Sequence, residues 1–284
     1  MSKIKLVLAG TASFSKTIFE SLIEDSRFEV CALISQPNKK LSRDKKIIET
    51  EVASLAKKYN IQLFQPNKIN EIYEDLKNMR FDFFITASFG QFVPNNILEL
   101  AKNSSLNVHG SLLEKYRGAA PIQHALLNNE AKTGISLIYM INKMDAGDIL
   151  FSQQIEIKKH DTALEIFDKL AQLASLNLGN WLIKIYNGDF KAKKQNEDLV
   201  TFAPKIKNED AELFLNDSKE KALAKIRAFN DQPGAFIFFQ NKRLKIFRAS
   251  IEKISSPISI DFSNGKLYLI EYQFEGKKRV KHEF

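Results

Sequence analysis

Asn107-Val108-His109-Gly110 ends an apolar segment, and Asp145-Ala146-Gly147-Asp148 follows as an acidic turn. These runs supply an amide, an imidazole and a carboxylate, the polar groups needed to move an acyl group onto an amine. Attack of a neutral amine on a carbonyl carbon builds an oxyanion and an ammonium, and both charges need partners. The Asn107 amide N–H can donate to the oxyanion, as can His109 when protonated or suitably tautomeric. Asp145 can orient and charge His109, and can take the amine proton directly or through a water. A neighbouring carboxylate favours imidazolium, which casts His109 as an electrostatic stabiliser rather than a free base. A plainer reading fits the same residues: a hydrogen-bonded histidine after a strand and an ordinary Asp-x-Gly turn.

Something must carry these groups to one place. Lys3–Leu8 and Phe28–Ile34 read as short buried strands, with Phe14–Ile23 at helical spacing between them. Phe81–Thr86 and Ser105–Val108 read as two more strands, separated by a helix near Asn95–Ala101. Such alternation predicts an α/β unit with a mainly parallel sheet and helices on both faces. Ligands in such sheets bind beyond the carboxyl ends of strands, where Asn107 and His109 fall. Ile149–Ile157 alternates as a strand, and Thr162–Tyr186 reads as a long helix with Leu164, Phe167, Leu170 and Leu173 on its core face. The polar stretch Asn187–Ala203 reads as an exposed linker, which divides the chain into 1–188, a linker 189–204 and 205–284. Asp217 or Ser218 can cap a helix running to Phe229. Short strand-like runs at Phe236–Phe239, Leu244–Arg248, Pro257–Ile260 and Lys266–Tyr272 suggest a small β-barrel.

Several function classes are disfavoured. Ala9-Gly10-Thr11-Ala12-Ser13-Phe14 has one glycine, whereas the dinucleotide fingerprint needs three and the P-loop needs Gly-Lys-Ser/Thr, so Gly10 reads as a tight turn near the acceptor. Four histidines and one cysteine, Cys31, give no zinc spacing and no disulfide framework, so no metal is expected and a reducing cytoplasm fits. The N-terminal apolar run is too short for a signal peptide or a membrane span. The formal charge is +8. Residues 191–284 hold 19 Lys and Arg against 13 Asp and Glu, so most of the excess lies there. That skew fits either a polyanionic partner or simple solubility. Lys39, Lys40, Arg43, Lys45 and Lys46 form a second basic run, and Lys242, Arg243, Lys245 and Arg248 are interleaved with Phe247.

The stretch Asn107-Val-His-Gly-Ser-Leu-Leu-Glu-Lys-Tyr-Arg-Gly-Ala-Ala-Pro-Ile-Gln123 resembles the signature of the folate-dependent formyltransferases. Leu8-Ala-Gly-Thr11, Gln36-Pro37, Thr133-Gly134 and Arg227-Ala-Phe-Asn230 extend the resemblance over nearly the whole chain. It implies a Rossmann-like catalytic domain followed by an oligonucleotide-fold-like barrel that holds tRNA. It also implies Asn107, His109 and Asp145 as the catalytic set, with 10-formyltetrahydrofolate as formyl donor. Ser111, Leu112, Leu113 and Glu114 match the part of the motif associated with folate. Phe89, Gly90 and Gln91 are similar to the loop that walls the pterin pocket, with Ile141 through Met144 on the other side.

The Arg117–Gln123 wording and the Arg227–Asn230 segment fit the branch whose acceptor is methionyl-initiator tRNA, acting as a cytoplasmic monomer. There the loop matching Lys39–Lys46 enters the acceptor stem, and Arg43 is the residue expected to read rather than merely attract. A sugar-nucleotide N-formyltransferase, a formylfolate hydrolase and a noncatalytic RNA-binding protein are the alternatives. The sequence departs from the family at Glu114, where proline is usual, in a basic loop without glycines, and in ending at Phe284 before the usual final helix, which suggests a minimal barrel.

Overall fold

Residues 2–40, 47–239 and 242–282 are described by this structure, a computed structural model, with Lys39 and Lys40 described in backbone only. By contact density the chain forms two units. One comprises Met1–Arg117, Gly134–Gln154 and Asp168–Thr201; the other comprises Gly118–Thr133, Ile155–Phe167 and Phe202–Phe284.

The chain begins with β1 (Ile4–Gly10), α1 (Ser13–Glu24), β2 (Phe28–Ile34), the two-residue strands β3 (Lys39–Lys40) and β4 (Ile47–Ile48), α2 (Glu51–Tyr59) and β5 (Leu63–Phe64). It continues with α3 (Tyr73–Met79), β6 (Phe83–Ala87), α4 (Asn95–Leu98), β7 (Ser104–His109), α5 (Pro121–Leu127), β8 (Lys132–Tyr139), β9 (Ile149–Glu156) and α6 (Ala163–Tyr186). A seven-stranded sheet runs in the order β5-β2-β1-β6-β7-β8-β9. Its β5-β2-β1-β6-β7 part is parallel, and β8 joins antiparallel to β7.

The continuous burial of Phe83-Phe-Ile-Thr-Ala87 is what a strand covered on both faces requires. Phe84 joins a core cluster with Leu76 of α3 and Ile97 and Leu98 of α4. Phe83, which points the other way, meets Tyr186 of α6 with ring centroids 6.5 Å apart. Helices therefore cover both faces, as the alternation of elements predicts.

Three sequence expectations shift. The helix near Asn95 ends at Leu98 rather than Ala101. The buried stripe of α6 is Ile166, Leu170, Ala174, Leu178 and Leu182, while Leu164 is 49% exposed and Phe167 and Leu173 are only partly buried. A three-to-four spacing through leucines thus picks a face turned from the true one, because the small Ala174 belongs to the seam. Finally, Asn187–Ala203 is not uniformly exposed, since Gln195 and Ala203 are buried.

The second unit holds α7 (Lys219–Ala228), capped by Ser218 as its side chain accepts the Lys221 N–H at 3.2 Å. Its strands are β10 (Ala235–Phe239), β11 (Lys242–Ser250), β12 (Ser259–Phe262), β13 (Gly265–Phe274) and β14 (Val280–Lys281). They form an antiparallel half-barrel ordered β10-β11-β13-β12, with β14 also on β13. Register shifts around Arg248 bend β11, the local device that curls a small sheet.

Candidate active site

The carboxyl end of β7 sets the site. Alternation along a strand puts Asn107 and His109 on one face, two residues apart. Thr86 stands beside Asn107 in the β6–β7 register. The Thr86 hydroxyl donates to Asn107 Oδ1 at 2.8 Å, and Asn107 Nδ2 donates to Asp145 Oδ1 at 3.1 Å. A carboxylate only accepts, so this orientation of the amide satisfies both neighbours.

The other carboxylate oxygen, Asp145 Oδ2, lies 3.5 Å from His109 Nδ1. His109 Nε2 lies 2.8 Å from the Tyr116 carbonyl oxygen. A carbonyl can only accept, so Nε2 carries a proton and donates it. Any charge change at the ring therefore happens at Nδ1, the nitrogen that faces Asp145. The amide, the imidazole and the carboxylate thus converge, and Asp145 touches the other two.

The turn bearing Asp145 is held unusually. Asp145 has φ +51°, a left-handed conformation that aspartate tolerates better than most non-glycine residues. At Gly147 a Cβ would run into the Tyr139 carbonyl, so only glycine lets the two backbones approach. Arg117 is 1% exposed and donates to Gln195 Oε1 through Nε at 2.9 Å and Nη2 at 2.8 Å. Arg117 also pairs with Glu197 at 2.9 Å, and Lys143 meets Glu197 at the same distance. Hydrogen bonds from Arg117 and then from Lys143 hold the Glu197 carboxyl down to about 2.

Other sequence candidates are placed unevenly. Ser111 and Leu113 form a turn pinned by Ser136, whose hydroxyl accepts the Leu113 N–H at 3.1 Å and donates to the Ser111 carbonyl at 2.8 Å. The Leu112 side chain lies where a Cβ on Gly134 would collide with it. Glu114 is buried, accepting the Asn196 N–H at 2.8 Å with Lys193 Nζ at 3.5 Å. The Asn196 N–H, more than Lys193, pulls its carboxyl below the ordinary 4.5 against the opposing effect of burial. Stability from this group is therefore present above about pH 4.5 and fades as pH falls through its lower folded value. Glu114→Gln is expected to lower Tm at pH 7 by about 3 °C. The deficit should shrink in thermal scans below about pH 4.5 and persist unchanged only if the charge contributes nothing.

The Phe89 ring is buried in the core cluster rather than in a pocket wall, and Phe92 is the exposed ring. The Phe89 carbonyl accepts from Thr11 Oγ1 at 3.1 Å and Gln36 Nε2 at 3.0 Å, and Gly90 follows with φ +76°. Gln91 braces the loop, accepting from the Ile69 N–H at 2.8 Å and donating to the Pro66 carbonyl at 3.0 Å. Ile141 lines a cavity of about 670 Å³ together with Met140, Asn142, Ala146 and Gly147, and Met144 is exposed.

Among the basic candidates, Arg43, Lys45 and Lys46 lie outside the described residues, and the side chains of Lys39 and Lys40 are likewise undescribed. On β11, Lys242 is exposed, Arg243 lies 3.7 Å over the Phe236 ring and Lys245 donates to the Pro233 carbonyl at 3.0 Å. Arg248 is paired with Glu165 at 2.6 Å and Glu271 at 3.5 Å, and Phe247 is buried beneath Arg279. The alternating basic and aromatic pattern there is therefore not a continuous stacking face.

Sequence reasoning missed Thr86, Gln195 and the Tyr116 carbonyl as partners of the site. Thr86 was detectable only through strand register, and Gln195 had no local signal.

Residues 2–180 match the family model described as formyl transferase, and residues 205–283 match that of the formyl transferase C-terminal domain. A methionyl-tRNA formyltransferase from Mycoplasmopsis pulmonis is 48% identical over 99% of this chain and 97% of its own length. The chain belongs to the methionyl-tRNA formyltransferase family. It is thus an enzyme of formyl transfer, and the methionyl-tRNA formyltransferases it joins span the same two regions. Two solved structures share the fold. A methionyl-tRNA formyltransferase from Clostridium thermocellum has a TM-score of 0.66 at 19% identity, covering 98% of this chain and all of that one. HypX from Aquifex aeolicus, solved in complex with tetrahydrofolic acid, has a TM-score of 0.70 at 17% identity, covering 98% of this chain and 45% of its own.

Among the described residues of this family member, no group of three His, Cys, Asp or Glu side chains is placed to hold a metal. Nor is any helix there long and apolar enough to cross a membrane.

Proposed function

We propose that this formyltransferase moves the formyl group of 10-formyltetrahydrofolate to the α-amino group of methionyl-initiator tRNA, working as a cytoplasmic monomer. The observation that carries the reading is the single carboxylate of Asp145 touching both Asn107 and His109, beside a cavity of about 670 Å³. That volume is in the range that holds a drug-sized ring system. Its lining mixes Ile141 and Met140 with Asn142 and the backbone around Gly147, which suits a flat heterocycle with a hydrogen-bonding edge.

The donor supplies an electrophilic formyl carbon on a nitrogen leaving group. Asn107 Nδ2 has a second hydrogen beyond the one given to Asp145, and it serves the oxyanion. His109 with Nδ1 protonated adds positive charge beside that oxygen. Asp145 receives the proton of the attacking amine, and the same proton goes to the departing nitrogen as its bond to the formyl carbon breaks.

Ile141 and Met144 are assigned to the pterin side. The Phe89–Gly90 backbone, with Gln91 bracing it, and the Ser111–Leu113 turn support the pocket rather than fill it. Glu114 holds that turn through Asn196. Lys39, Lys40, Lys45 and Lys46, with Lys242, Arg243 and Lys245, are assigned to tRNA phosphates, and Arg43 to reading the acceptor stem. Arg248, tied to two carboxylates, serves the barrel itself.

The test offers 10-formyltetrahydrofolate with methionyl-initiator tRNA, with an amino-sugar nucleotide, or with water alone. Formyl transfer to the charged tRNA is expected, with tRNA affinity falling steeply between about 50 and 200 mM salt. Transfer only to the amino sugar, or hydrolysis alone, overturns the reading.

A further inference from the structure

We propose that Gln195, gripped by Arg117, is a positioning residue that sets the Asp145 carboxylate for proton transfer. The inference rests on the reading above, in which Asp145 takes the amine proton. Gln195 lies in a segment that sequence marks as linker, fifty residues from Asp145. Its Nε2 donates to the Asp145 carbonyl at 2.8 Å and to the Gly147 carbonyl at 2.6 Å, so its two hydrogens bracket the turn.

Its Oε1 takes both the Nε and the Nη2 hydrogens of Arg117, a two-point grip that allows the amide one orientation. Turning the amide over would set its oxygen against two carbonyls and its NH2 against a guanidinium. Four buried hydrogen bonds would be lost together.

The grip is itself anchored. Glu197 receives Arg117 and also Lys143, two residues before Asp145. The backbones of Ile149 and Lys193 exchange two hydrogen bonds at 2.8 Å, and the Arg117 N–H donates to the Thr201 carbonyl at 2.9 Å. Residues 193–201 therefore act as a strap across the turn. Asp145 sits in the left-handed region at φ +51°, which aspartate adopts more readily than most residues, and the strap fixes that turn from outside through the Asp145 and Gly147 carbonyls. Relaxing that dihedral would swing the carboxylate away from Asn107 Nδ2 and His109 Nδ1. Lys194, Gln195 and Glu197 also border the cavity, but all four hydrogen bonds of the Gln195 amide go to the turn and to Arg117, so its influence is on the chemical step.

The test is Gln195→Glu in the full chain. A carboxylate keeps its pairing with Arg117, and with it the fold, but offers acceptors to two carbonyls. We expect kcat to fall at least about tenfold. KM for methionyl-tRNA and for the donor should stay within about twofold, with Tm lowered by the two hydrogen bonds lost to the Asp145 and Gly147 carbonyls. Combining it with Asp145→Asn should cost little beyond Asp145→Asn alone, because both act on one group.

Arg117→Lys, which keeps the charge and loses the two-point grip, should show the same split more weakly and decides the matter if Gln195→Glu does not fold. Unchanged kcat, a loss confined to KM, or losses that multiply in the double variant overturn the proposal. Failure of the wild-type enzyme to formylate methionyl-tRNA would instead overturn the underlying reading.

Discussion

Asp145→Asn is expected to retain tRNA at low salt and to lose about a thousandfold in turnover. The substitution is nearly isosteric, so the turn held by Gln195 and Gly147 persists. What goes is the negative charge 3.5 Å from His109 Nδ1, on the carboxylate that touches both Asn107 and His109. A positioned acid or base is worth about 10²–10⁴ in rate, and this group is asked to serve as the base.

His109→Ala should lose a similar amount, again with binding intact. It removes the imidazole and its hydrogen bond to the Tyr116 carbonyl, so a modest fall in Tm accompanies it. Filter binding beside steady-state transfer separates the outcomes. Loss of tRNA retention in either variant would make these residues structural.

Asn107→Ala is the second large effect, expected to lower kcat by about 10²–10³, or roughly 3–4 kcal/mol in barrier, with KM little changed. The amide is one preorganised donor in a partly buried site, and nothing in alanine replaces it. Thr86→Val should repeat the effect at about tenfold, because Thr86 fixes which end of the amide faces Asp145. Without that hydrogen bond the amide can rotate and present oxygen to a carboxylate. Equal losses in the two variants would mean that Thr86 acts on the fold. No loss in either would mean that the oxyanion is held elsewhere.

The elements that place Asn107 and His109 were legible because their reasons are local. A buried parallel strand is a mainly apolar run, which β6 shows, β1 and β2 show apart from Lys5 and Glu29, and β7 shows only through Leu106 and Val108. The Asp145 turn was legible through Ala146-Gly147, whose glycine the Tyr139 carbonyl demands.

What was not legible depends on contacts far apart in sequence. A buried arginine such as Arg117 must find acceptors, yet nothing near it indicates that they are Gln195 and Glu197. The Phe89–Gln91 loop is similar to the family's pterin-pocket loop, and nothing in the sequence indicates that the Phe89 ring itself turns into the core and leaves its carbonyl to the loop. Arg248 reads as a cation for phosphate, but Glu165 and Glu271 already neutralise it. Charge and spacing in a sequence show what a side chain can do, whereas burial and partners decide what it is free to do.

Single-turnover formyl transfer, with enzyme in excess over methionyl-initiator tRNA and saturating 10-formyltetrahydrofolate, isolates the chemical step in which Asn107, His109 and Asp145 are placed. Each of the three variants should slow that step by the factor seen in its kcat, with the tRNA dissociation constant within about twofold of wild type. A single-turnover rate equal to wild type in any of them, with the loss appearing only on release or binding, would contradict a catalytic role for that residue.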